Sequence, residues 1–316
     1  MQSMEAGWIC LTNSTLLLES IKNESEMKIV KVIGGLGNQM FQFALYKALQ
    51  KQHPEERVLL DLHTFNGYHK HRGFEIGKVF GADYETASLK EIARLAYPYP
   101  NFQLWRIGSR LLPTRKTMLK EKANFTLEPE AVSYKGDRYY DGYWQHEEYF
   151  SAIREELLQI YTFPKLNDMQ NLKVAQLASA TNSCSIHIRR GDYLTDPLRK
   201  GTTDNDYAVE AIRKMKEAVN PDTWLVFSDD ITWCRQHLSE MLNPASTTYI
   251  DWNTGERSIN DMHLMSICRH HIIANSSFSW WGAWLSQQLD GTTIAPAVWM
   301  NMEGVCSPVP DNWIKI

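Results

Sequence analysis

The string HIRRGDY, His187 to Tyr193, places two arginines side by side where a strand is predicted to end. Adjacent positions leaving a strand point to opposite faces, so Arg189 and Arg190 cannot serve one purpose. One can turn its guanidinium fork toward phosphate oxygens, while the other pairs with a carboxylate such as Asp192 and holds the loop. Further along, Asn275, Ser276, Ser277, Phe278 and Ser279 lead into a helix expected to begin near Trp280. Hydroxyls and free N–H groups at a helix start bind anions, and one serine can cap while another donates. Near the beginning, Gly34-Gly35-Leu36-Gly37-Asn38-Gln39 lies between a strand and a helix. Such a turn lets a diphosphate or a sugar approach the backbone closely. It lacks the third glycine of a dinucleotide fingerprint and the Gly-Lys-Ser/Thr of a P-loop. Together these residues imply a phosphate-bearing ligand.

The aspartates admit two readings. Asp204-Asn205-Asp206 matches the D-x-D string that holds a divalent ion on a diphosphate, and Asp229-Asp230 is a second candidate pair. Asp204 to Asp206 stand directly before a predicted helix, where aspartate caps and complements the helix dipole, and that reading is preferred. No metal site is expected. Cys10, Cys184, Cys234, Cys268 and Cys306 are odd in number and contain no C-x-x-C, so neither a disulfide framework nor a cysteine zinc site is expected. Cys234, three residues from His237, and Cys268, beside His270 and His271, are read as small core hydrophobes in a reducing compartment rather than as metal ligands. Trp280, Trp281 and Trp284 are read as helix packing rather than a sugar platform.

The elements that position these residues alternate. Strands are predicted at 27–33, 57–61, 138–144, 183–188, 224–227, 247–250, 271–274 and 292–295. Helices are predicted at 40–52, near 88–96, and at 147–161, 207–219, 231–242, 259–268 and 280–288. Residues 62–127 read poorly. This alternation predicts parallel sheets with helices on both faces, in two halves joined near 163–182. In the second half HIRRGDY, Phe227–Asp230, Asp251–Asn253 and Ala274–Gly282 all follow strand carboxyl ends, the edge at which open α/β sheets bind ligands.

Composition sets the bounds. The chain has 316 residues, 43% hydrophobic and 22% charged, which is material for about two packed domains or one large one. A net charge of −4 argues against nucleic acid as the main partner. No run of about 18 apolar residues reads as a membrane span. Residues 1–26 lack a basic n-region and are read as a leader or extension, with a domain start at Met27 and a short ordering helix as the alternative.

GLGNQ, HIRRGDY, FSDDITWC and DMHLMS with NSSFSWWGAWLS resemble the bacterial α-1,2-fucosyltransferases of glycosyltransferase family 11, from Met27 to about Trp299. The resemblance implies a GT-B-like α/β fold, two Rossmann-like domains with parallel sheets facing a central cleft. Residues 27–165 would form an acceptor-side domain and 166–316 a domain holding GDP-β-L-fucose as co-substrate. It implies inverting, metal-independent transfer to the 2-hydroxyl of a terminal β-galactoside, in an oligosaccharide or a lipid-linked glycan. By the same resemblance Arg189, Asp192 and Asn38 are candidate catalytic residues. His187, Arg190, Gly35, Gly37, Asp229, Asp261, Asn275, Ser276, Ser277, Phe278 and Ser279 are candidates for the donor. Gln39, Asp141 and Trp144 are candidates for the acceptor. The base is open among Asp192, Asp141, His69, His71 and the leaving phosphate. A cytoplasmic enzyme lying peripherally on the inner membrane is expected, without an integral segment. An α-1,6 or protein O-fucosyltransferase, or a non-catalytic carbohydrate-binding protein, are the alternatives.

Overall fold

The computed structural model describes residues 26–288 and 290–316, so the reading of the leader falls, except for Glu26, outside the described residues. In the first half β1 (Met27–Lys31) is buried along its whole length. It leads into α1 (Leu36–Gln52), of which 12 residues are buried, Gln39 and Gln42 among them. Then follow β2 (Arg57–Asp61), α2 (Ile76–Phe80), α3 (Leu89–Leu95), α4 (Phe102–Leu111), β3 (Met118–Lys120), β4 (Arg138–Asp141) and α5 (Arg154–Ile160). The four strands pair in the order β2-β1-β4-β3, all parallel.

The second half contains α6 (Met169–Ala180), β5 (Ser183–Ile188), α7 (Asn205–Ala218), β6 (Thr223–Ser228), α8 (Ile231–Leu238), β7 (Thr247–Ile250), α9 (Ile259–Ile267), β8 (His270–Ile272), α10 (Ser277–Trp284), β9 (Thr293–Ala295) and β10 (Ile314–Lys315). Its sheet runs β10-β9-β8-β5-β6-β7, again all parallel. Two parallel sheets covered by helices are the α/β, GT-B-like architecture that the resemblance implied.

Several boundaries differ from the sequence reading. α1 begins at Leu36 rather than Met40, because Gly34, at φ +97°, completes the turn and releases Gly37, Asn38 and Gln39 into the first helical turn. α10 likewise begins at Ser277, three residues early, and ends at Trp284. The helix expected over 147–161 is two 3-10 turns followed by α5. The stretch taken as a join carries α6, whose Asp168 side chain caps it by accepting from the Asn171 N–H at 2.8 Å.

Both sheets change direction of winding at one place. In the first, β2 lies on one side of β1 and β4 on the other. In the second, β6 and β7 build outward from one side of β5, and β8, β9 and β10 from the other. Loops that leave the carboxyl ends of strands flanking such a switch point diverge and leave a crevice. HIRRGDY leaves β5 and the serine run leaves β8. The glycine turn leaves β1, and Asp141 to Gln145 leave β4.

Candidate active site

Arg189 faces outward from the end of β5. Its Nη2 donates to Asp192 Oδ1 at 2.8 Å, and Nη1 lies 3.2 Å from Asp229 Oδ2. Arg190 turns the other way: its Nε donates to Asp230 Oδ2 at 3.1 Å, and its guanidinium lies 4.1 Å from the Trp233 ring. Asp230 also caps α8, accepting from the Trp233 N–H at 3.1 Å. Asp229 ties the loop down by accepting from the Arg190 N–H at 2.8 Å. The two arginines thus diverge, and each is paired with carboxylates. Asp192, expected as the partner of the loop-holding arginine, pairs instead with Arg189.

His187, one residue before the end of β5, is 8% exposed, and its Nδ1 has no hydrogen-bond partner among the described residues. Burial, helped by the charge of Arg189, pushes its pKa down to about 3, so the imidazole is neutral at any working pH. The ring centroid lies 6.0 Å from that of Phe278 in the first turn of α10. Tyr193 joins the two loops: its hydroxyl donates to Asn275 O at 3.1 Å, and the Arg189 guanidinium lies 5.6 Å from its ring. Arg189 and the serine run therefore share one side of the molecule.

Ser276 caps α10, accepting from the Phe278 N–H at 3.3 Å. A Cβ on Gly37 would come within 2.7 Å of the Ser277 carbonyl carbon and Oγ, and within 2.8 Å of the Phe278 nitrogen. Trp281 Nε1 donates to Gly37 O at 3.0 Å. The amino ends of α1 and α10 thus meet, and neither helix has an acidic residue in its first turn. Two uncompensated positive dipole ends beside Arg189 form a place suited to an anion. Gly37 is required here by helix packing, not by the approach of a ligand.

On the opposite wall the His71 ring lies 3.2 Å from where a Cβ on Gly35 would be. His71 keeps a solvent-exposed edge, yet crowding by the protein, then Lys70 and Arg189, lower its pKa below the usual histidine value. Asn38 Oδ1 accepts from Gln145 Nε2 at 2.8 Å, and Gln145 is buried with its Oε1 unpartnered among the described residues.

Other expected site residues have partners within the fold. Gln39 is fully buried; its Nε2 donates to Gly34 O and Gly73 O, and its Oε1 accepts from the Glu75 N–H, so it fastens the glycine turn. Asn275 donates to Thr202 Oγ1 and Trp299 O and accepts from Thr203 Oγ1. Ser279 is buried and donates to Ala274 O and Ser276 O. Trp144 is fully buried in the aromatic core, not at an acceptor surface. Asp141 is buried and paired with Lys31, over which Trp105 lies at 4.2 Å. Asp261, at the start of α9, accepts from Asn253 Nδ2 at 2.8 Å, and burial pushes its carboxyl up to about 7. Asp204 caps α7, accepting from the Asp206 and Tyr207 N–H groups, as preferred over the metal reading.

Glu121 and Gln145 were not anticipated. Glu121 follows β3 and accepts from the N–H groups of Tyr143 at 2.6 Å and Trp144 at 2.8 Å. It thereby fixes the turn that carries Gln145, a turn in which Trp144 has φ +57°. Burial nevertheless raises its pKa to about 7. Neither residue sits in a recognisable local pattern, since Gln145 meets Asn38 across 107 positions of sequence.

The description of glycosyl transferase family 11 matches residues 121–316. An α-1,2-colitosyltransferase of Escherichia coli is 36% identical over 296 residues, covering 91% of this chain and 98% of that protein. The chain belongs to glycosyl transferase family 11. The O-antigen biosynthesis glycosyltransferase WbnK of Escherichia coli is 30% identical over 302 residues, with coverage of 90% and 98%. Among solved structures, the NodZ α-1,6-fucosyltransferase soaked with GDP-fucose covers 83% of this chain and 93% of its own at 14% identity, with a TM-score of 0.45. As a family 11 member the chain is a glycosyltransferase, and among its described residues no group of three His, Cys, Asp or Glu is placed to hold a metal ion.

Proposed function

We propose that this glycosyltransferase moves L-fucose from GDP-β-L-fucose to the 2-hydroxyl of a terminal β-galactoside, with inversion and without a metal. The observation that carries the reading is the meeting of the α1 and α10 amino ends beside Arg189. The bond from the anomeric carbon to the diphosphate oxygen breaks while the acceptor oxygen bonds from the opposite face. Negative charge grows on the departing GDP, and fixed donors aimed at that charge lower the barrier. Arg189 and the Ser276–Ser277 end of α10 supply those donors. Neutral His187 and Phe278 line the donor side, and Asp261 takes the guanine N–H groups. Asn38, held by Gln145, presents its amide to the sugar. His71 is neutral near pH 7 and stands on the acceptor wall, so it accepts the hydroxyl proton.

The reading places the enzyme in the cytoplasm, acting on a glycan at the inner face of the membrane. The likeness to a colitosyltransferase favours a second reading at the sugar alone, transfer of colitose by the same apparatus. Incubating galactosides with GDP-fucose and EDTA, followed by mass spectrometry, tests the proposal. A fucosylated product that periodate and methylation analysis place at the 2-hydroxyl is expected. A strict need for Mn²⁺ would return Asp204 and Asp206 to consideration, and absence of any product beside turnover of activated colitose would select the second reading. With His71→Gln the acidic limb of the pH–rate profile should disappear; a limb unchanged in the variant removes His71 from the proton transfer.

A further inference from the structure

α4 is unlike the other helices of the first half. None of its ten residues is buried, although it is strongly two-sided. Phe102, Trp105, Gly108 and Ser109 face the protein: Trp105 covers Lys31, and Tyr99 wedges against Gly108. Outward, at the i, i+3, i+7 spacing that aligns side chains on a helix, stand Leu104 (49% exposed), Ile107 (53%) and Leu111 (76%). Leu112, just past the end, is 45% exposed. Beside this stripe, at the same spacing, run Gln103, Arg106 and Arg110. Between Glu91 and Glu121 the chain has six Lys or Arg and no acidic residue, in a protein whose net charge is −4. Arg106, Arg110 and Lys116 form no ion pair among the described residues.

An apolar stripe flanked by unpaired cations on a short, exposed helix is the pattern of a helix that lies in the plane of a membrane interface. The cations attract anionic headgroups and the leucines and isoleucine enter the acyl boundary. A protein partner of matching shape would have to supply both an apolar groove and acidic flanks, whereas an anionic bilayer offers both everywhere. The face also has a direction. Phe102 lies 4.6 Å from the Tyr68 ring, and Tyr68 lies 5.6 Å from His71, which covers Gly35 at the crevice.

We propose that the outward face of α4 is a membrane-docking surface that seats the protein on an anionic bilayer with the acceptor side of the crevice against the lipid. The acceptor it favours is then a glycan carried on a lipid. That last step rests on the transfer reading above; the docking itself does not.

The test is co-sedimentation of the full chain with phosphatidylethanolamine vesicles containing phosphatidylglycerol, without GDP-fucose or acceptor, compared with phosphatidylcholine vesicles. Binding only to the anionic vesicles, weakened by added salt, is expected. Arg106→Gln with Arg110→Gln should weaken it on the order of 30-fold, at about 1 kcal/mol per cation. Leu104→Ser with Ile107→Ser should abolish it, and both pairs should leave turnover of a soluble galactoside unchanged. No binding by the wild-type chain overturns the proposal. So does binding that both variant pairs retain, or a concentration-dependent dimer that disappears in the Leu104→Ser, Ile107→Ser variant while vesicles are ignored. Vesicle binding with no transfer activity would sink the enzymatic reading alone.

Discussion

Arg189 has two exposed carboxylate contacts, and exposed ion pairs contribute only about 0–1 kcal/mol to stability. Arg189→Ala should therefore keep the fold while lowering transfer by about 10²-fold or more, the usual cost of one donor aimed at developing charge. A thermal melt beside single-turnover kinetics checks both halves; near-normal turnover would remove Arg189 from the mechanism. Asp261 gives a pH prediction. Its folded carboxyl is raised to about 7 by burial, so in the free protein its contribution to stability falls as pH rises from the ordinary carboxyl range through about 7. Guanine N–H donors favour the ionised form, so binding GDP expels a proton. GDP affinity should rise about tenfold between roughly pH 6 and 8, and Asp261→Asn should flatten that slope. Calorimetry in two buffers of different ionisation enthalpy reads the proton directly; a pH-independent affinity in the wild type contradicts the role of Asp261. The places of the candidate residues were legible in sequence, because His187, Arg189 and the serines lie in short polar strings at or just past strand ends. Their occupations were not. Gln39, Asn275 and Ser279 have the same polar groups as a ligand-binding residue, and only the partners they meet in the fold, such as Gly73 O for Gln39 and Trp299 O for Asn275, show that those groups are already spent.

At the scale of elements, the contact between α1 and α10 is the most demanding feature. Gly37 leaves no room for a methyl group against the Ser277 backbone. Gly37→Ala should cost about 1–3 kcal/mol, in the range of overpacked core sites, and should weaken GDP binding by parting the two helix ends. A urea melt and a GDP titration measure the two effects; an unperturbed titration would show that the ends need not touch. Most strand positions, their parallel pairing and most second-half helices followed from periodicity, since buried parallel strands such as Trp224–Phe227 are continuous apolar runs bounded by polar turns; the order of the strands in each sheet did not. The starts of α1 and α10 escaped because glycine and serine favour turns locally, and tertiary packing overrides that preference. α4 escaped because its apolar stripe, which faces outward, lies among prolines and basic residues in a stretch with little other pattern.

At the scale of the whole molecule, a large aromatic seam joins the two halves. Phe41 of α1 lies 4.5 Å from Trp280 and 4.8 Å from Trp281, and Phe150 stacks on Trp281 at 5.5 Å. The carboxyl-terminal segment closes over the same core: Trp313 lies 5.7 Å from Trp280, and the Cys306 N–H donates to Asn124 O at 2.7 Å. Two α/β units joined by so large an apolar contact are not expected to swing freely. Solution scattering should show a radius of gyration that changes by less than about 1 Å on GDP binding; a contraction of several ångströms would mean that the seam opens. Whether the leaving diphosphate sits where two helix amino ends and Arg189 converge is decided by a crystal structure of the GDP complex. Diphosphate oxygens are expected within hydrogen-bonding distance of the Arg189 guanidinium and of the Ser276–Ser277 backbone. A nucleotide bound away from α10, with Arg189 still engaged only by Asp192 and Asp229, would contradict that placement.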